Sequence, residues 1–467
     1  MSAIVQGFAA ALLLYLTLMQ LGHLLLHFLA WRRLRRVVAL RALHDLPAAH
    51  TGLELPVTLI VPTIDTSGTI VERVRGVLSM DYPEFEVVVV NDGSSDDTLA
   101  VLQAAFQLEP FPEVYWRRLA TKPIRAIYRS HLHRNLRVVD KESGGRADAL
   151  NAAINASRYP LFCALPADAL VLHDSLRRAV APFTEDSTAA ASGAALGLSN
   201  GCAISENRIT GVDLPRSSLG LLQVVEYLRT YPFARLGWAC LHGGLLMSGS
   251  LSVFRKDAAV EAGGFKSETR GAATELMMRL HRLLRTRGES YSVHFVPDAV
   301  GWTVAPETFS GIRVQHERRQ WGLSESLQAN AALLGTRGAP GMITWPWLAA
   351  FEVLGPPIEL AAYAFMLLMF ALGQLSGYAL LMFLAAVFAL GFLVSASALL
   401  LEEFAFRLYP RSDQLPRLIA GALVENLGYR QLVAWWRTVG LAKWAWARFT
   451  ASAPVRRELP SHGRLRP

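Results

Sequence analysis

The chain has 467 residues, 52% of them hydrophobic and 18% charged, with a formal net charge of +8. So apolar a composition excludes an ordinary soluble multidomain protein. Three scattered cysteines, Cys163, Cys202 and Cys240, have neither thiolate-metal spacing nor the density of a disulfide framework.

Residues 1–31 contain no Asp, Glu, Lys or Arg, and 12–26 are rich in leucine, so this run can cross a bilayer. The cluster Arg32, Arg33, Arg35 and Arg36 follows the apolar run instead of preceding it, which argues against a cleaved signal and places the N-terminus outside. Residues 1–40 therefore read as a membrane helix with a basic juxtamembrane segment. Residues 54–340 have mixed polarity and suffice for one large cytosolic domain. Its elements alternate: a buried strand VTLIV over 57–61, a helix over 69–80, and a second strand FEVVVV over 85–90 ending in Asn91-Asp92-Gly93-Ser94. A strand over 136–139, a helix over 146–156 and an apolar run over 160–165 continue a parallel α/β pattern. In such sheets ligands bind beyond the carboxyl ends of the strands, so the tips after Val61, Val90, Val139 and Leu165 form the expected site.

A second apolar region, 343–401, breaks near 373–377 and reads as two more spans. Arg407, Arg411 and Arg417 follow it and return the chain to the cytoplasm. Glu352 and Glu359 bracket Gly355-Pro356-Pro357 and are expected at the cytoplasmic interface, before the true span begins near Leu360. Residues 402–467 read as amphipathic helices and a polar tail. Within them Trp435, Trp436, Trp444 and Trp446 mix with Arg430, Arg437, Lys443 and Arg448, a pattern suited to a helix lying in the interface. The juxtamembrane Lys and Arg account for the positive charge without nucleic-acid binding.

The stretches VTLIVPTIDTSGTI (57–70), EVVVVNDGSSDDT (86–98), VVDKESGGRADALNAAIN (138–155), SGSLSVFRKDAAVEAGGF (248–265), ELMMRLHR (275–282), FVPDAVGWT (295–303) and ENLGYRQL (425–432) resemble the family 2 glycosyltransferases along nearly the whole chain. The likeness is to their membrane-embedded exopolysaccharide-synthase branch. It implies a GT-A fold, an α/β domain with a parallel-rich mixed sheet, joined to about three transmembrane helices and C-terminal interfacial helices. It also implies a UDP-type nucleotide-diphosphate sugar as donor and Mg²⁺ or Mn²⁺ as its cation. Asp92 matches the family's uracil acceptor, although 91–94 also has the composition of a plain turn. Arg146, led by Gly144 and Gly145 and followed by Asp148, stands where the family carries a diphosphate-binding Lys. Asp65 is a further carboxylate for the nucleotide, or a cap for the next helix.

Three motifs depart from the family pattern. The metal-binding Asp-x-Asp reads Pro166-Ala167-Asp168, and proline has no side-chain oxygen to offer a hard cation, so Asp168 alone remains. The Glu-Asp that carries the general base reads Ala272-Ala273 after Gly271, with Glu275 as a displaced substitute or a structural residue. The diphosphate-clamping Gln-x-x-Arg-Trp aligns with Gln315, Arg318 and Arg319; a second register pairs Glu317 and Gln320 with Trp321. These losses favour a pseudoenzyme or severely impaired transferase of an inner-membrane polysaccharide system, with the metal in doubt. An active inverting transferase with rewired residues and a scaffold or export subunit are the alternatives. Three spans are few for a polymer conduit, so a partner chain or second copy is expected besides the lipid.

Overall fold

The computed structural model describes residues 3–44, 54–112, 115–165, 169–205, 208–247 and 251–450. Pro166, Ala167, Asp168 and the tail beyond Thr450 therefore lie outside the described residues.

A nine-stranded sheet forms the centre of the large domain. Its strands run in the order Ser292–Val296, Ala189–Ala194, Leu251–Arg255, Leu161–Ala164, Val57–Thr63, Phe85–Asp92, Leu136–Lys141, Ile124–Ser130 and Leu108–Pro110. The four strands from Leu161–Ala164 to Leu136–Lys141 are mutually parallel. Leu251–Arg255 and Ile124–Ser130 run antiparallel to their neighbours, so the sheet is mixed with a parallel centre. All seven residues of Val57–Thr63 are buried, as a continuous β-branched run requires when both faces are covered. Val57, Leu59, Val61, Val87 and Val89 pack on one side with helices Ile70–Leu78 and Ser175–Glu185. Ile60, Val88, Val90 and Val139 pack on the other with helices Arg146–Ala156 and Ala272–Thr286. The period of two along each strand thus feeds two separate cores.

Two helices contain stretches long and apolar enough to cross a membrane, Val5–Arg36 and Gly377–Ala405; a third candidate is the pair Pro340–Val353 and Gly355–Ala371, bent by 43°. The break between the two later spans falls at 372–376, where the sequence places it. The helix breaks at Leu354, just before Pro356 and Pro357, which occupy the first turn of Gly355–Ala371, where a missing N–H costs nothing. Glu352 and Glu359 are accordingly held inside the bent helix pair, paired with Arg437 at 2.9 Å and Arg430 at 3.2 Å.

The N-terminal helix Ala3–His44 is joined closely to the sheet domain. A Cβ on Gly237, in helix Pro232–Cys240, would meet the Leu26 carbonyl, and the His27 ring touches Ser397 Oγ at 2.7 Å and the Arg229 carbonyl at 3.2 Å. The C-terminal helix Arg430–Thr450 lies along helix Phe309–Ala329, with Gly440 against the Glu317 backbone and Lys443 donating to Glu317 at 2.5 Å. It buries Trp436 and exposes Trp435, Trp446 and Phe449, the two-sided character expected of an interfacial helix.

Candidate functional site at the carboxyl edge of the sheet

The register of the parallel centre pairs Asp92 with Lys141 at the tips of adjacent strands. Lys141 is fully buried, and its ammonium lies 2.7 Å from Asp92 Oδ1 and 2.6 Å from Asp148 Oδ1. Asp92 also accepts the backbone N–H groups of Gly144 at 3.0 Å and Gly145 at 2.7 Å. Three of the roughly four acceptor positions of this carboxylate are thus taken, which leaves one direction on Oδ2 for a ligand N–H. The two glycine amides are spent on Asp92 and are not presented to a phosphate. Gly93, at φ +68, permits the turn: a Cβ there would lie 2.6 Å from the Ser143 nitrogen.

The other expected nucleotide residues fall into different places. Asp65, at φ +49, accepts from the Ser95 N–H at 2.7 Å and donates its own N–H to Ser94 Oγ at 3.0 Å. It ties the first strand tip to the second; it does not cap helix Ile70–Leu78, whose cap position is Thr69. Arg146 opens helix Arg146–Ala156 and reaches across to the Leu165 carbonyl at 3.3 Å, directly before the Pro166-Ala167-Asp168 triplet. Asp148 faces inward onto Lys141 and accepts the Lys122 N–H at 3.0 Å, so it buttresses the Gly-Gly turn instead of facing a ligand. Gln315 and Arg318 are exposed on helix Phe309–Ala329 and make no hydrogen bond or ion pair with the Asp92–Lys141–Asp148 cluster.

At the second departure, Ala272 and Ala273 open helix Ala272–Thr286 and offer only methyl groups. Glu275 is fully buried and bound by both arms of Arg279, at 2.7 and 2.6 Å. Held in a fork–fork pair beneath the surface, this carboxylate has the partners of a structural residue, one of the two roles its place in the sequence offers. Gln320 is buried and bonds Arg437 Nε at 2.8 Å and the Glu352 carbonyl at 3.2 Å, tying the helix to the bent span. Trp321 stacks against Arg270, 3.9 Å from its ring centre, beside the start of the Ala272–Thr286 helix.

Sequence reasoning missed Lys141, because a lone Lys at a strand end usually points to water; its position opposite Asp92 in the ladder was the available signal. It also missed a polar layer between the sheet domain and the spans. There Arg229 pairs with Glu425 at 2.8 Å, and His316 lies 3.4 Å from Glu226 while its ring stacks on Trp436. Burial by itself would raise the Glu226 carboxyl, but His316 and then Arg229 and Arg319 draw it down to about 2. Among the described residues no group of three or more His, Cys, Asp or Glu converges as a cation site.

A parallel-centred sheet with a carboxyl-edge site, carried against membrane helices, defines a membrane-associated GT-A protein. Residues 58–201 match the glycosyl transferase family 2 model and residues 164–394 match the glycosyl transferase family group 2 model. The two matches together span residues 58–394, so the chain carries glycosyl transferase family 2 domains, and it is similar to exopolysaccharide synthases. The poly-beta-1,6-N-acetyl-D-glucosamine synthase of Staphylococcus epidermidis is 24% identical over 272 residues, 58% of this chain and 55% of that protein. The synthase of the same description from Staphylococcus aureus strain MSSA476 is 25% identical over 272 residues. The chain thus matches about half the length of these relatives, 55%. Among solved structures, the mannosyltransferase PcManGT of Pyrobaculum calidifontis, in complex with GDP-Man and Mn²⁺, shares the fold at a TM-score of 0.50 and 20% identity, covering 89% of this chain and 99% of that one.

Proposed function

We propose that the protein is a glycosyltransferase-like component of an exopolysaccharide synthesis or export system that holds a nucleotide sugar and turns it over poorly or not at all. The observation that carries this reading is the start of helix Ala272–Thr286, where two alanines stand in the base position and Glu275 is committed to Arg279. Loss of a positioned general base costs about two to four powers of ten in rate. The lone Asp168 of the metal triplet, with Pro166 in place of the first carboxylate, weakens cation binding further. Retained donor binding would rest on Asp92 Oδ2 for the base and the Arg146 guanidinium for the diphosphate. A bound divalent cation would neutralise the leaving diphosphate, and Asp168 is the side chain that would hold it.

In this reading the basic clusters after the first and last spans set the sheet domain and C-terminus on the cytoplasmic side of a bacterial inner membrane. A second copy or a catalytically intact partner chain supplies the turnover and completes any polymer path. A rewired active transferase is the second reading, favoured by Arg146, which stays at the sheet's carboxyl edge, bonded to the Leu165 carbonyl.

Calorimetry with a panel of uridine and other nucleotide-diphosphate sugars, with and without Mg²⁺ or Mn²⁺, followed by donor hydrolysis on each hit, separates the readings. Binding without turnover is expected. Metal-dependent binding with turnover establishes the rewired enzyme, and absence of binding leaves a scaffold.

A further inference from the structure

An open cleft of about 630 Å³ lies between the end of helix Ala272–Thr286 and the segment that leads into the bent span, lined by none of the carboxyl-edge residues. Arg282 and Arg285, from the last turns of helix Ala272–Thr286, form one wall, and Arg337, from the loop that leads into Pro340–Val353, forms the other. Thr286, Ser290 and Thr336 add hydroxyls between them. The arginines are not answered by acids. Glu289, the carboxylate at the rim, pairs with Arg287 at 3.6 Å, and Arg287 also pairs with Glu261 at 2.5 Å. Among the described residues no carboxylate forms an ion pair with Arg282, Arg285 or Arg337. Arg285 is oriented by its Nε donating to the Tyr291 hydroxyl at 2.9 Å and by Gly338, at φ +92, where a Cβ would collide with the guanidinium.

The segment that supplies Ala332, Thr336 and Arg337 to the cleft also carries exposed apolar side chains. Leu334, Met342 and Ile343 are 51%, 62% and 49% exposed at the entry to the bent span, and Trp345 and Trp347 follow within one turn. Large apolar side chains exposed beside aromatic residues at the end of a span mark the level of the bilayer interface. Three guanidiniums without a carboxylate partner, with hydroxyls between them, fit a phosphate ester, and the exposed apolar residues of the same segment fit its acyl chains.

We propose that this cleft seats the headgroup of an anionic phospholipid from the leaflet on the sheet-domain side. Arg282 and Arg337 would hold the phosphodiester from opposite walls while the acyl chains lie on Leu334, Met342 and Ile343. The lipid would bridge the last helix of the sheet core to the first half of the bent span. The inference is independent of whether the protein turns over a donor.

The test reconstitutes the full chain in nanodiscs of phosphatidylcholine mixed with phosphatidylglycerol and reads the retained lipid by native mass spectrometry. Phosphatidylglycerol should be retained in preference to phosphatidylcholine. In the double variant Arg282→Gln/Arg337→Gln that preference should fall roughly thirtyfold, since each interfacial cation is worth about 1 kcal/mol. Arg282→Lys/Arg337→Lys should keep most of it, and in the wild type added salt should erode it. Equal retention of the two lipids, or a preference unmoved by both salt and the Gln substitutions, overturns the proposal. Pyrophosphate binding to the wild type in pure phosphatidylcholine discs, lost in the Gln variant, overturns it in favour of a soluble anion.

Discussion

Replacing Lys141 by Met removes the ammonium shared by Asp92 and Asp148 and leaves two largely buried carboxylates without their cation. At an effective dielectric of about 20, a contact of 2.7 Å such as that from Lys141 to Asp92 is worth roughly 6 kcal/mol. Most of this is offset by taking the ions out of water, so the net effect is set by what is left orphaned, about 3–5 kcal/mol for breaking a buried pair from one side. For a domain of this size that corresponds to a fall of about 10 °C in the apparent unfolding midpoint, taking roughly 2–4 °C per kcal/mol. The loss should be largely restored in Lys141→Met/Asp92→Asn/Asp148→Asn, which removes the stranded charges together with their cation. Thermal unfolding of the purified full chain, followed by intrinsic tryptophan fluorescence, reads both variants. A single substitution costing under about 1 kcal/mol, or a triple variant no more stable than the single one, would refute the assignment of this triad as the keystone of the loop.

Four further outcomes are expected. Gly93→Ala should destabilise by about 1–3 kcal/mol, because φ is +68 and the added methyl would sit 2.6 Å from the Ser143 nitrogen; denaturant titration checks it. Arg279→Met should cost about 3–5 kcal/mol by stranding Glu275, whereas Glu275→Gln should leave nucleotide-sugar binding unchanged, as calorimetry would show. Rebuilding the family residues with Pro166→Asp/Ala272→Glu/Ala273→Asp should raise donor hydrolysis at least about a hundredfold if the missing groups are what limits turnover. Glu226 has a folded value of about 2 against an ordinary 4.5, so its stabilising effect is full above 4.5 and is lost as pH falls from there through 2; Glu226→Gln should flatten that limb of the stability–pH curve.

The central strands were legible because a sheet covered on both faces demands largely apolar runs, and 57–61 and 85–90 are such runs apart from Thr58 and Glu86, which bond each other at 2.6 Å. Helix Arg146–Ala156 was legible at both ends, from the Gly-Gly pair before it and the Tyr-Pro after it. The edge strand Leu108–Pro110 and its neighbour Ile124–Ser130 carry little apolar signal: of their residues only Leu108, Ile127 and Ser130 are buried. At the site, Asp92 and Arg146 stood out by motif, whereas the burial of Lys141 depends on a ladder register that links residues 49 apart. The same holds for Gln320, Arg437 and Glu352, whose bonds span 32 to 117 positions and appear only once the C-terminal helix has folded back on Phe309–Ala329. Glu275 shows the reverse: its partner lies four residues on, at helical spacing, and Arg279 could have been nominated from the sequence alone.

The close seating of Leu26 against Gly237 has a mechanical consequence. With the backbones of the first span and of a domain helix in contact, and His27 bonded to the Arg229 carbonyl and Ser397, no slack tether separates lipid from sheet. A span tilts when the hydrocarbon around it thins or thickens, and here the tilt is passed to the whole domain as a lever passes a stroke to its load. The height and attitude of the carboxyl edge above the lipid are then set by the thickness of the membrane in which the protein sits.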